Sequence, residues 1–251
     1  MFYGNFTPES RQDFQKFIKL LPSIFGRVFA QDNLITLQRS AGFLNDKKFR
    51  SAFEGAIQNR QEQSLSWRLH TLTWAAKHCL NVEGDFVECG VYKGFSFAVV
   101  AAYLDFEQVN KKIYLYDTYS GIPDEYNSEK RSNQVYEKET ESDSDAIYNQ
   151  ALDRFKQYPN VELVRGIVPD SFEQAVPERI SLLHIDMNSA KSELAALDVL
   201  FDRVTTGGMI IFDDYGWTGY VKQKIAEDDY MSQRNHSILE LPTGQGLVVK
   251  L

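Results

Sequence analysis

The chain has 251 residues, 43% of them hydrophobic and 25% charged, and a net charge of -8. That length suits one α/β domain with an N-terminal extension. An acidic chain with no cluster of Lys and Arg argues against nucleic acid as substrate or partner, because phosphate contacts need grouped cations. Cys79 and Cys89 are the two cysteines. One falls in a helical pattern and the other in a glycine turn, so a reducing compartment, the cytoplasm, is expected rather than a structural disulfide. No basic region followed by an apolar run opens the chain, and no segment has the length of a membrane span.

Residues 1–80 read as helices only, an extension for packing or oligomerisation, and 81–251 as the α/β unit. The apolar stretch 14–30 is interrupted by Lys16, Lys19, Pro22, Gly26 and Arg27. It reads as short helices packed on the domain or on a second subunit, or as a peripheral membrane contact; the lack of a basic face favours packing. The clearest helix is 61–80, with Leu65, Leu69, Leu72, Ala76 and Leu80 at helical spacing. Strands are expected at 86–89, 112–117, 161–165, 180–186 and 209–213, with helices between them at 94–104, 189–201 and 218–231. This alternation implies a parallel sheet with right-handed crossovers. Residues 237–241 and 246–251, joined by Pro242-Thr243-Gly244-Gln245, form a hairpin signal. A parallel sheet that ends in an antiparallel hairpin resembles the Rossmann-like sheet of class I methyltransferases. The polar insertion 123–145 is either a solvated loop or a lid that orders on ligand binding.

The segment Glu88-Cys89-Gly90-Val91-Tyr92-Lys93-Gly94 reads as a strand tip, a glycine turn and a helix start. Tyr92 stands where a dinucleotide fingerprint carries its middle glycine, which disfavours a pyrophosphate. S-adenosylmethionine has no phosphate, and Glu88 offers a carboxylate to its cationic part. The next strand ends in Asp117-Thr118-Tyr119-Ser120-Gly121, where an acid commonly meets ribose hydroxyls. The alternative readings are a tight turn with no ligand and a turn or cap aspartate.

Two further strands end in His184-Ile185-Asp186-Met187-Asn188 and Phe212-Asp213-Asp214-Tyr215. Neighbouring parallel strands bring Asp186, Asp213 and Asp214 together at the carboxyl edge of the sheet. Carboxylates at this density suit magnesium, manganese or calcium. Such an ion can stabilise an alkoxide and so activate a hydroxyl acceptor. The competing reading is that the aspartates cap a helix and bond to the cofactor. His184 shares a face with Asp186 and is a candidate base.

Together these motifs resemble the macrocin and mycinamicin O-methyltransferase family, from about Gln61 to the end of the chain. The resemblance implies a metal-assisted, S-adenosylmethionine-dependent methyltransferase of sugar hydroxyls on natural products, oligomeric through its N-terminal helices. It implies a cofactor site at Glu88, Gly90, Val91, Tyr92, Asp117, Thr118, Tyr119, Gly121 and Asp186, with Phe155, Gly166 and Ile167 on the adenine side. It implies Asp186, Asp213 and Asp214 as metal ligands. The family's proposed base, an aspartate two residues after the first metal ligand, is Asn188 here. Asn accepts no proton at neutral pH, so His184, a metal-bound hydroxide or another group must serve. A metal-independent methyltransferase and a non-catalytic cofactor-binding subunit stay open beside this reading.

Overall fold

The computed structural model describes residues 1–127 and 143–251. The middle of the expected 123–145 lid, residues 128–142, lies outside the described residues.

The N-terminal part begins with α1 (Pro8–Phe25). Thr7 caps it reciprocally: the Thr7 hydroxyl accepts from the Ser10 N–H and the Ser10 hydroxyl accepts from the Thr7 N–H. The chain then forms an antiparallel hairpin, β1 (Val28–Gln31) and β2 (Leu34–Leu37). This corrects the expectation of helices alone over 1–80. The two-residue loop Asp32-Asn33 takes positive φ at both positions, the turn that matches the twist of paired strands. Two helices follow, α2 (Lys47–Ala56) and α3 (Ser66–Cys79). The expected 61–80 helix starts late because Glu62–Ser64 forms a separate 3-10 turn.

The α/β part runs β3 (Asp85–Cys89), α4 (Phe95–Leu104), β4 (Ile113–Asp117), α5 (Ser144–Phe155), β5 (Val161–Arg165), β6 (Ile180–Ile185), α6 (Ala190–Leu200), β7 (Val204–Phe212), α7 (Val221–Ser232), β8 (Leu239–Glu240) and β9 (Gly246–Val249). Among the described residues these strands form one sheet in the order β5-β4-β3-β6-β7-β9-β8. All pairs are parallel except β7–β9 and β8–β9. The expected mostly parallel sheet with an antiparallel terminal hairpin is what forms. β6 is buried at every position, as an apolar run covered on both faces must be. Helix α4 is apolar around its circumference because it lies under α2 and α3.

Strand order reverses between β3 and β6: the chain first builds outward through β4 and β5, then returns to the other side of β3. Ligands of open α/β sheets sit at the carboxyl ends of the strands at such a switch. Glu88, Asp117, Asp186, Asp213 and Asp214 all lie at or beside those ends.

Candidate active site

Gly90 follows β3 directly, with φ of 90°. A Cβ there would lie 1.9 Å from the Asp186 carbonyl oxygen. Gly90 is therefore required by the close approach of the chain leaving β6, whatever ligand the turn holds. Gly94 has a similar reason: a Cβ would meet the Phe155 ring at 2.7 Å.

Asp117 ties the turn to β4. Its Oδ2 accepts the N–H groups of Val91 and Tyr92 at 2.7 and 2.8 Å, and its Oδ1 accepts that of Tyr119 at 2.6 Å. A carboxylate has about four acceptor positions, so roughly one remains for a ligand hydroxyl. Tyr92 and Tyr119 both take positive φ, at 50° and 55°, conformations uncommon for bulky residues and held here by those hydrogen bonds.

A cavity of about 520 Å³ opens over this edge. Its walls include the expected Gly90, Val91, Tyr92, Asp117, Thr118, Tyr119 and Gly121 on one side and Gly166 and Ile167 at the far end. Asp186, Asn188, Asp213 and Asp214 line it as well. Three expected site residues stand behind the wall instead. Phe155 packs on Gly94. Glu88 and His184 are each 1% exposed, with Glu88 Oε1 3.0 Å from His184 Nδ1. They face each other because β3 and β6 pair Glu88 with His184 in register. Burial alone would depress the imidazolium, but the bonds to Asp213 and Glu88 outweigh it and push His184 up to about 10. This favours the imidazolium, and His184 sits between Glu88 and Asp213 behind the cavity wall. Burial pushes Glu88 up to about 7, against the pull of His184.

The residue that sequence reasoning missed is Arg68, from the first turn of α3. Its Nε donates to Asp32 Oδ2 at 2.7 Å, and its Nη1 donates to Asp213 Oδ2 and lies 3.4 Å from Asp214 Oδ1. The guanidinium also lies over the Trp217 ring, 4.9 Å from its centroid. The signal was present: a cation stands beside Leu69 and Leu72 in the buried part of a helix, where an unpaired charge is rarely found. Tyr3 and Asp32 line the cavity too, so the N-terminal part contributes to the site besides packing on the sheet domain.

The acids respond to this arrangement in different ways. Burial opposes ionisation of Asp213, but Arg68 and His184 overcome it and hold the carboxyl below the ordinary range. Asp214 is pushed up to about 6 by burial despite Arg68. Asp186 is raised well above the ordinary value by burial and by the charges of Asp213 and Asp214. Counting Asp32 and Glu88, five carboxyl groups meet two cations, Arg68 and His184. Hard oxygen donors are the ligands that magnesium and manganese take. As folded, no set of three His, Cys, Asp or Glu side chains is gathered to hold an ion among the described residues; the guanidinium holds the oxygens of Asp213 and Asp214 instead.

A profile described as Macrocin-O-methyltransferase (TylF) matches residues 66–240. The chain belongs to that family. It is 25% identical over 141 residues to a demethyldecarbamoylnovobiocin O-methyltransferase of Streptomyces niveus, covering 54% of each chain. It is 26% identical over 159 residues to an 8-demethyl-8-(2,3-dimethoxy-alpha-L-rhamnosyl)-tetracenomycin-C 4'-O-methyltransferase of Streptomyces olivaceus, covering 59% of this chain and 60% of that one. The match thus spans little more than half the length of these curated relatives. Among solved structures, the O-methyltransferase NovP superposes with a TM-score of 0.66 at 19% identity, over 96% of this chain and 98% of that one. A calicheamicin methyltransferase superposes with a TM-score of 0.57 at 18% identity, over 98% and 95%. These likenesses establish the methyltransferase fold. No helix among the described residues is long and apolar enough to cross a membrane.

Proposed function

We propose that this chain is an S-adenosylmethionine-dependent O-methyltransferase acting on a hydroxyl of a small molecule, a sugar moiety. The observation that carries the reading is the shared cavity: the Asp117-braced turn on one wall faces Asp186, Asp213 and Asp214 on another. One relative acts, by its name, on a rhamnosyl group, which supports a sugar acceptor.

In this reading the Gly90–Tyr92 turn, Asp117 and the Gly166–Ile167 corner bind the cofactor. Asp186, Asp213 and Asp214 would hold magnesium or manganese, which when bound lowers the pKa of an acceptor hydroxyl. The chain's own residues position the reactants. Asp117 fixes the turn against which the cofactor lies. Asn188 donates its amide to Asp186 Oδ1 at 3.3 Å, fixing that carboxylate's rotamer. His184 and Gln245 hold Asp213, the latter by a 2.8 Å bond to Oδ1. Methyl transfer needs the acceptor oxygen in line with the sulfonium methyl, and rigid placement lowers that entropic barrier. The buried thiols Cys79 and Cys89 suit a reducing cytoplasm. Residues 1–80 act as the N-terminal extension that joins subunits into a homo-oligomer, and 81–251 as the cofactor domain.

The second reading, a non-catalytic cofactor-binding subunit, is favoured by Asn188, which accepts no proton at neutral pH, and by the imidazolium of His184 behind the cavity wall. The test is calorimetry with S-adenosylhomocysteine, followed by transfer of labelled methyl from S-adenosylmethionine to a panel of rhamnosides with and without EDTA. Transfer that EDTA abolishes supports the proposal. Transfer that survives EDTA moves it to a metal-independent enzyme. Tight binding without transfer to any hydroxyl acceptor supports the second reading, and no binding at all sinks both.

A further inference from the structure

A second cavity lies on the outer side of the N-terminal part. It encloses about 480 Å³ between α1 and the turn that precedes α3, a volume typical of small-molecule sites. Its floor is apolar and half-buried: Phe2, Phe6, Phe14 and Ile18. The Phe14 ring centroid lies 4.9 Å from that of Phe2 and 5.4 Å from that of Phe6. Helix α1 turns Arg11, Phe14 and Ile18 to this side because residues three and four apart share a helix face.

The rim carries Arg11, Lys19 and Arg60, and among the described residues no Asp or Glu lines the cavity. None of these three cations has an ion-pair partner among the described residues, whereas Lys16, Lys48 and Arg50 are all paired. The Arg11 guanidinium lies over the Phe6 ring, 4.9 Å from its centroid, which keeps its charge at the apolar floor. Three unpaired like charges around one apolar hollow attract an anion, and the rings give its body a surface to pack on. The two cavities adjoin without a common lining residue. Met1, Phe2, Arg60 and Gln63 face the outer one, while Tyr3, Gln61 and Glu62 face the inner one.

We propose that the outer cavity binds a small aromatic anion, a flat apolar body that ends in a carboxylate, sulfonate or phosphate. The phenylalanine floor takes the body. Lys19 from α1 and Arg60 from the facing turn take the anionic end, the planar guanidinium matching two of its oxygens at once. The ligand lies against the wall that carries Tyr3 and does not enter the inner cavity. It is therefore distinct from the cofactor and the acceptor of the reading above, and its site stands apart from that reading.

The test uses the full chain and anilinonaphthalene sulfonate, followed by its fluorescence, with uncharged phenylnaphthylamine as the matched neutral probe. Wild type should prefer the sulfonate to the neutral probe by roughly tenfold or more. Lys19→Glu and Arg60→Glu should each weaken the sulfonate by about fivefold or more and leave the neutral probe within about twofold. Both side chains are exposed, and melting curves establish that each variant is folded. Saturating S-adenosylhomocysteine should leave the sulfonate bound. Should either variant fail to fold, wild type alone decides: salt at about 1 M, where the Debye length is ~3 Å, should weaken the sulfonate and spare the neutral probe. Absence of sulfonate binding, equal affinity for the two probes, affinity indifferent to salt, or unchanged affinity in both folded variants overturns the proposal. Displacement by S-adenosylhomocysteine also overturns it, since the probe would then occupy the inner cavity. So does loss of binding in step with self-association in sedimentation, which would mean that a second copy of the chain covers the groove.

Discussion

Glu88 and His184 form a buried pair across β3 and β6, with Oε1 3.0 Å from Nδ1 and side chains 2% and 1% exposed. The second oxygen of Glu88 has no hydrogen-bond partner among the described residues, so the imidazolium carries most of its compensation. Replacing His184 with Leu leaves a carboxyl alone in an apolar slot. Urea unfolding at pH 7 should show a loss of about 3–5 kcal/mol. The pH dependence has a definite sign. A histidine raised from 6.5 to about 10 gives stability that is complete below pH 6.5 and lost as pH rises through 10. Wild type should lose this increment over that window, and His184→Leu should lack it.

Gly90→Ala tests the contact between the glycine turn and the chain leaving β6. The added methyl group would overlap the Asp186 carbonyl at 1.9 Å, on a residue with φ of 90°. Strain and displacement together should cost roughly 3 kcal/mol or more. S-adenosylhomocysteine affinity should fall with it, since both walls of the cavity must shift. Calorimetry that shows unchanged affinity would remove this contact from the account of the site.

Asp117→Asn keeps the shape but turns an acceptor into a donor facing backbone N–H groups. The three bonds from Val91, Tyr92 and Tyr119 cannot all be kept by one amide oxygen. We expect about 1–3 kcal/mol of lost stability in denaturant. Cofactor affinity should drop at least tenfold on the scale of ~1.4 kcal/mol per decade.

Glu193 on α6 and Glu227 on α7 are buried. Burial raises both, Glu227 to about 7, and the proximity of Glu227 raises Glu193 further. Two carboxyls raised above their unfolded value bind extra protons when folded. Stability from this source should therefore be complete below pH 4.5 and fall as pH rises through 7. Glu193→Gln keeps an amide to donate to Glu227 and an oxygen for Gln223 and the Met187 N–H, which Glu193 Oε1 now accepts. It should match wild type near pH 5 and exceed it by roughly 1–2 kcal/mol at pH 8. A parallel pH profile for the two proteins would show that no proton is shared there.

Much of this architecture is legible because its signals are local. The β3–turn–α4 unit announces itself by an apolar strand, Gly90 and Gly94, and the terminal hairpin by Pro242 and Gly244 between two short apolar runs. The aspartates at the strand ends follow from alternation alone. What stayed hidden depends on distance in sequence. Nothing near Glu88 says that His184 will neutralise it from a strand 96 residues away. The role of Arg68 depends on Asp213 and Asp214, 145 and 146 positions onward. The β1–β2 hairpin was hidden for another reason: four-residue strands next to an apolar helix leave too short an alternation to stand out.

Tyr3 and Asp32 border the same cavity as Gly166 and Ile167, so opposite ends of one chamber are written in distant stretches of the gene. Substitutions in the leading residues can therefore reshape one wall of the chamber while the turn drawn from the sheet, braced by Asp117, keeps its form.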